Sequence, residues 1–142
     1  MTDAIRMVDD EADVVACFPL MQQLRPHLAS AEEFVVRWRR QTAAGYRLMA
    51  YWQDGRPVAL TGFRVQENLV YGQFFYVDDL VTDETLRSGG FGHALMARLK
   101  EEGRRLGCGR LVLDTPLANV LGHRFYYRNG LLARSIRFFT EL

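Results

Sequence analysis

Two places in the sequence hold residues that could do chemistry. The first is TLRSGGFGHALMARL, Thr85 to Leu99, where Arg87 and three glycines stand directly ahead of an amphipathic pattern. A helix start leaves its first N–H groups unpaired and carries partial positive charge, so it suits an anion, and phosphate best. Gly89, Gly90 and Gly92 would let a phosphate approach the backbone, and Arg87 adds a permanent charge at the mouth. The plainer alternative is a glycine-rich turn with a helix packed tightly behind it. The stretch is neither a Walker loop, because no G-K-[ST] follows, nor a dinucleotide fingerprint, because GGFGHA lacks the G-x-G-x-x-G spacing. The second place is Asp78-Asp79, adjacent carboxylates near the end of a strand-like run. Side chains alternate along a strand, so the two should face opposite sides unless a bulge intervenes.

The elements around these residues can be read from pattern. ADVVACFPLMQQL spaces Val14, Val15, Phe18, Met21 and Leu24 near helical period, with Pro19 expected to bend or end the helix. SAEEFVVRWRRQTAAG opens on Ser30 with Glu33 three residues on, a capping box, and Gly45 is a plausible stop. Its Arg37 to Arg40 run reads as a solvated face. YRLMAYWQDGRPVALTGFRV reads as two strands around Asp54-Gly55, a strong hairpin signal. NLVYGQFFYVDDLVT is a third long strand with Asn68 near the preceding turn. A helix over Phe91–Leu106 follows, with Leu95 and Leu99 on its apolar stripe. RLVLDT is a short strand suited to burial on both faces, and NVLGHRFYYRNG is a helix stopped by Gly130. ARSIRFFTEL is read as a final strand, and Ile5 to Val8 as a first one. The strand–helix–strand unit implies a parallel pair within a mostly antiparallel sheet, an α+β or mixed α/β class.

Bulk properties fit one domain over residues 1–142 with a real core, since 49% of the residues are hydrophobic and 25% charged. Basic and acidic residues nearly cancel, 18 against 17, which gives no support for a nucleic-acid or membrane-surface partner. The acidic N-terminal stretch lacks the apolar core of a signal peptide, no apolar run suggests a membrane span, and Cys17 and Cys108 read as reduced thiols. The expectation is a cytoplasmic protein with no metal site.

RSGGFG fits the pattern [RQ]-x-x-G-x-[GA] that marks the acyl-CoA pyrophosphate loop of the GNAT family of N-acetyltransferases, with Arg87, Gly90 and Gly92 at its defined positions. YVDDLVTDETLR before it resembles the family's fourth strand. NVLGHRFYYRNGLL resembles N-x-x-[AG]-x-x-F-Y-x-x-x-G-[FL], through Asn119, Gly122, Phe125, Tyr126, Gly130 and Leu131. Two motifs in the right order, with a helix and a strand between them, are far more specific than either alone.

The resemblance implies a GNAT fold whose parallel strands splay at the CoA site, with a splay or bulge near Asp78 and Asp79, and a reaction that moves an acetyl group directly from acetyl-CoA to a primary amine. The amine must be neutral to attack, so a carboxylate is needed to take its proton. Asp78 best matches the family's acidic position, with Asp79 beside it; both are shorter than the family's frequent Glu, and either could instead bind a basic residue. Tyr126 matches the tyrosine that protonates the departing thiolate. Leu80, Val81 and Thr82 would offer backbone groups to the pantetheine arm, and Arg87, Ser88, Gly89, Gly90, Phe91 and Gly92 would hold the phosphates. Asn119 would contact the arm, cap its helix, or both. His123 is set apart from catalysis. One strand follows the last helix where many relatives show a fuller pair, so a homodimer is expected, with a neighbouring subunit completing the sheet edge. Rival readings are a non-catalytic acyl-CoA sensor on the same fold and a nucleotide-binding domain. Nothing in the sequence identifies the acceptor.

Overall fold

The structure, a computed structural model, describes residues 4–87 and 89–142. Ser88, one of the expected phosphate-loop residues, lies outside them. The elements run β1 (Ile5–Val8), α1 (Glu11–Leu24), α2 (Ala31–Ala43), β2 (Arg47–Gln53), β3 (Arg56–Asn68), β4 (Gly72–Thr82), α3 (Phe91–Arg105), β5 (Leu111–Leu113) and α4 (Val120–Arg128). The five strands form one sheet in the order β1-β2-β3-β4-β5. The first three pairings are antiparallel and β4–β5 is parallel. Among the described residues no helix is long and apolar enough to cross a membrane.

Local chemistry accounts for most of the boundaries. Asp10 caps α1 by accepting from Asp13 N–H, and Ser30 caps α2 by accepting from Glu33 N–H, while the Glu33 carboxylate accepts from Ala29 N–H. Asp54 and Gly55 both take positive φ, 52° and 76°, as a two-residue hairpin with the right-handed strand twist requires. Pro19 neither ends α1 nor interrupts its buried face. The carbonyl left without a donor belongs to Val15, which is exposed, while Leu20 and Met21 beyond the proline are buried. Residues 69–71 turn instead of extending the third strand, because Asn68 Oδ1 accepts from the N–H groups of Val70 and Tyr71.

The sheet divides two apolar clusters. On one face Leu48, Ala50, Leu60 and Val81 pack against α1 and α2. On the other Met49, Phe63, Phe75 and Val77 pack against Leu95, Met96 and Leu99 of α3, with Phe125 and Tyr126 of α4 at the edge. The expected final strand is not formed. Residues 131–142 have no strand partner, and their only backbone hydrogen bond among the described residues runs from Leu131 N–H to the Tyr126 carbonyl. A period-2 pattern suits a strand, but a strand exists only where a neighbour supplies the ladder.

Candidate functional site

β4 is where both candidate chemistries meet. Gly62 of β3 pairs with Asp79 and Phe63 with Val77, which leaves Asp78 as an extra residue, a β-bulge. The bulge reverses the strand's parity. Phe75 and Val77 face the α3 side, whereas Val81 beyond the bulge faces α1 and α2. Asp78 and Asp79 therefore point to the same side, and both line a cavity of about 380 Å³ beneath α1 and α2.

Each carboxylate has an arginine partner. Arg64 holds Asp78 through a hydrogen bond from Nε to Oδ1 at 3.0 Å and an ion-pair contact of Nη2 with Oδ2 at 3.0 Å. Arg25 donates Nε to Asp79 Oδ1 at 3.0 Å and Nη2 to the Asp78 carbonyl at 2.8 Å. The Tyr46 hydroxyl donates to the other Asp79 oxygen at 2.5 Å. Burial pushes the Asp78 carboxyl above its usual range; the Arg64 hydrogen bond opposes this and the Asp79 charge adds to it. Burial and the Asp79 charge hold the Tyr46 phenol well above its ordinary value, so it stays a donor. None of Arg25, Tyr46 and Arg64 was singled out from the sequence. They lie 54, 33 and 14 residues from their aspartates, and nothing local marks the pairing.

Gly62 makes the Tyr46–Asp79 bond possible. A Cβ at this position would lie 1.9 Å from the Tyr46 hydroxyl oxygen, and Tyr46 is buried. Gly62→Ala is expected to destabilise the fold by about 1–3 kcal/mol, the usual cost of overpacking. Urea denaturation measures this, and a loss below about 0.5 kcal/mol would count against the placement of Tyr46.

A second cavity, about 1020 Å³, lies on the β5 side and is lined by Tyr126, His123, β5 and part of the segment after α4. Arg25, Tyr76 and Asp78 line both cavities. The two spaces thus adjoin at the bulge. β5 pairs with β4 only at Phe75, Tyr76 and Val77, so the β4 edge from Asp78 to Thr82 has no strand on that side. On their other edge Leu80, Val81 and Thr82 pair with β3 in the ordinary way. Burial raises the Tyr126 phenol above its usual pKa, which keeps it protonated. The Asn119 side chain caps α4, accepting from Gly122 N–H at 3.2 Å and donating to Thr115 Oγ1 at 3.0 Å. His123 Nε2 lies 3.0 Å from the Pro116 carbonyl oxygen, a local structural contact.

The glycine stretch opens α3 as its spacing suggested. Gly90 is the N-cap at φ 79°, with no side-chain cap of its own. A Cβ on Gly92 would meet Thr82 Oγ1 at 3.1 Å and the Phe125 ring at 3.2 Å, so glycine lets the helix start sit against the end of β4 and against α4. Arg87, Gly89 and Gly90 are exposed, and Phe91 packs edge-on against Tyr51 at 5.0 Å. None of these loop residues lines either cavity.

Residues 14–131 match the model of the acetyltransferase (GNAT) family. The chain belongs to the GNAT family. It is similar to the glucosamine 6-phosphate N-acetyltransferase of Trypanosoma brucei brucei, 27% identical over 141 residues that cover 90% of this chain and 96% of that one. It is also similar to an uncharacterized N-acetyltransferase of Bacillus subtilis (strain 168), YhdJ, 29% identical over 110 residues and 77% of each chain. Among solved structures, the aminoglycoside N-acetyltransferase AAC(6')-Iy in complex with CoA shares the fold at a TM-score of 0.86 and 15% identity, over 97% of this chain and 93% of that one. The GNAT chain described here is an acetyl-CoA-dependent N-acetyltransferase.

Proposed function

We propose that this acetyltransferase transfers acetyl from acetyl-CoA to the primary amine of a small molecule or peptide, in one complex holding both substrates, and that it acts as a homodimer. The observation that carries the reading is the bulge at Asp78, which sets a carboxylate where the two cavities adjoin. The amine enters from the 380 Å³ cavity and the thioester from the β4–β5 opening. The size of the smaller cavity and the T. brucei relative's named substrate both support a small amine. Acetyl-CoA lies with its pyrophosphate on the Arg87–Gly92 loop and its pantetheine arm along the free edge of Leu80, Val81 and Thr82 toward Asn119.

Asp78 takes the amine proton, directly or through one water, and the nitrogen attacks the thioester carbonyl. The C–S bond then breaks, the Tyr126 hydroxyl gives its proton to the departing thiolate, and the nitrogen's second proton passes through water to the Tyr126 oxygen, which leaves a neutral amide and restores the phenol. Burial suits both roles, because it raises the proton affinity of the Asp78 carboxylate and keeps the Tyr126 phenol protonated. Asp79, held by Arg25 and Tyr46, fixes the strand around the base. The raised Asp78 pKa also carries a sign for stability. The folded state favours its protonated form, so that contribution is complete at low pH and is lost as pH rises through the folded value.

Paired amide variants separate the aspartates. Asp78→Asn is expected to lower turnover by roughly 10²–10⁴-fold with its fold intact. Asp79→Asn is expected to lose stability first, because it weakens the partners of Arg25 and a buried tyrosine hydroxyl. The reverse pattern, with turnover lost only in Asp79→Asn, overturns the assignment. A thermal shift with acetyl-CoA against ATP and NAD tests the donor, since only a ligand bound by the native state raises the melting temperature. An amine panel with thiol detection then identifies the acceptor.

A further inference from the structure

The smaller cavity holds a charge that the chemistry proposed for it does not use. Its α2 wall is one stripe of the helix, Phe34, Arg37, Trp38 and Gln41, spaced at i, i+3, i+4 and i+7. The pattern of the Arg37 to Arg40 run suggests a solvated face throughout, and the structure divides it. Arg39 pairs with Glu11 of α1 and Arg40 stands exposed, neither of them on the cavity, whereas Arg37 and Trp38 line it.

The other ionic groups around the cavity are already matched. Arg64 holds Asp78, and Arg25 holds Asp79. Arg37 has one acidic neighbour among the described residues, Glu33 one turn back on α2, with Nη2 3.8 Å from Oε2. Glu33 is not on the cavity wall, and its other carboxylate oxygen accepts from Ala29 N–H at the helix start. An ion pair that long between solvent-exposed side chains is weak. Arg25, Arg37 and Arg64 against Asp78 and Asp79 thus leave one positive charge over. A second ammonium on the acceptor would find no unmatched carboxylate among the described lining residues, while an anion would find Arg37.

Arg64 sets how far that charge stands from the base. Its Nη2 donates to Gln41 Oε1 at 2.9 Å while its Nε holds Asp78, so Gln41 marks the position of the base along α2. Arg37 comes four residues earlier, one turn and about 6 Å along the helix axis. Leu28, Phe34 and Trp38 line the same cavity, and their apolar surface suits a short carbon skeleton.

We infer that the acceptor is an amine that also carries an oxyanion, a carboxylate or a phosphate, and that Arg37 binds the oxyanion while the amine meets Asp78. The inference rests on the amine entering this cavity, as proposed above, and names the class of amine. The forked N–H groups of a guanidinium fit either oxyanion, and its charge repels an acceptor with a second ammonium.

Four probe amines test it: 5-aminopentanoate, 3-aminopropyl phosphate, the neutral 5-aminopentanol and the dicationic 1,5-diaminopentane. With acetyl-CoA and thiol detection, kcat/KM for at least one anionic probe is expected to exceed that for the alcohol by roughly 10–100-fold, the range of one or two charge-assisted hydrogen bonds, and the diamine to fall no higher than the alcohol. The better anionic probe tells carboxylate from phosphate. Arg37→Gln is expected to bring the anionic probes down to the level of the alcohol, Arg37→Lys to restore part of the preference, and Arg40→Gln, which removes the same charge from the same helix away from the cavity, to keep it. An alcohol or diamine used as well as both anions, or a preference that survives Arg37→Gln, overturns the inference. Calorimetry with the phosphate probe reads the anion site without any transfer. If no probe is acetylated, the transfer reading fails on these amines, yet phosphate binding lost in Arg37→Gln and kept in Arg40→Gln upholds the anion site. Binding that is absent, or equal in Arg37→Gln, removes it.

Discussion

Gly90→Glu is expected to abolish measurable acetyl-CoA binding, a loss of at least about 100-fold in affinity if the ligand's pyrophosphate lies on this helix start. Three effects act together. Gly90 sits at φ 79°, where a side-chain-bearing residue is strained by roughly 1–2 kcal/mol. The new carboxylate would stand at the positive end of α3, in the space the proposal gives to phosphate. It would also remove close backbone approach, the feature for which glycine is suited at this place. A Cβ at Gly90 has no neighbouring atom within 4 Å, so the substitution collides with nothing in the protein. Loss of binding can therefore be separated from loss of folding. Gly90→Ala provides the scale, because it carries the same backbone strain without the charge, and it should bind more tightly than Gly90→Glu. Titration calorimetry with acetyl-CoA measures both. Unchanged affinity in Gly90→Glu would remove the loop from the binding site.

What could be read ahead of the structure divides along sequence distance. The Asp54-Gly55 hairpin, the Ser30 cap and the glycine start of α3 are set by residues within a few positions of one another, and each formed as its chemistry requires. The relation between Asp78 and Asp79 could not be read that way. Alternation places them on opposite faces unless a bulge intervenes, and the residues that meet the bulge, Gly62, Tyr46 and Arg25, reach β4 only in the folded sheet. Their arginine partners were invisible for the same reason, although a basic partner was one of the two uses the sequence allowed these carboxylates. Pro19 shows a local rule yielding to packing, since the buried Leu20 and Met21 keep α1 going past a residue that removes a hydrogen bond. In the terminal segment the pattern of ARSIRFFTEL suits a strand, but a period-2 pattern cannot say which edge will receive it. Asn119 was open between cap and ligand contact, and the cap is formed.

Tyr126→Phe should lower turnover by roughly 10²–10⁴-fold while acetyl-CoA affinity stays nearly constant, the range general-acid catalysis contributes. The substitution keeps the ring and deletes only the hydroxyl. The ring is what packs, meeting Phe125 edge-on at 5.5 Å within the α3-side cluster, so the fold should survive. The hydroxyl is proposed to have a different task. It belongs to a side chain that lines the larger cavity, on the β5 side of the opening through which the thioester is proposed to enter. Burial holds its pKa above the ordinary phenol value, so at neutral pH it retains the proton that a departing thiolate would take. Such an interaction strengthens only as the C–S bond breaks, and its removal should lower kcat and kcat/KM together without weakening ground-state binding. The measurement needs an acceptor with appreciable turnover and a rate-limiting chemical step, established by a pre-steady-state burst of CoA that is absent. Full turnover in Tyr126→Phe under those conditions would assign the residue to packing. A loss of acetyl-CoA affinity matching the loss of turnover would assign it to donor binding, and the proton for the thiolate would then have to come from solvent.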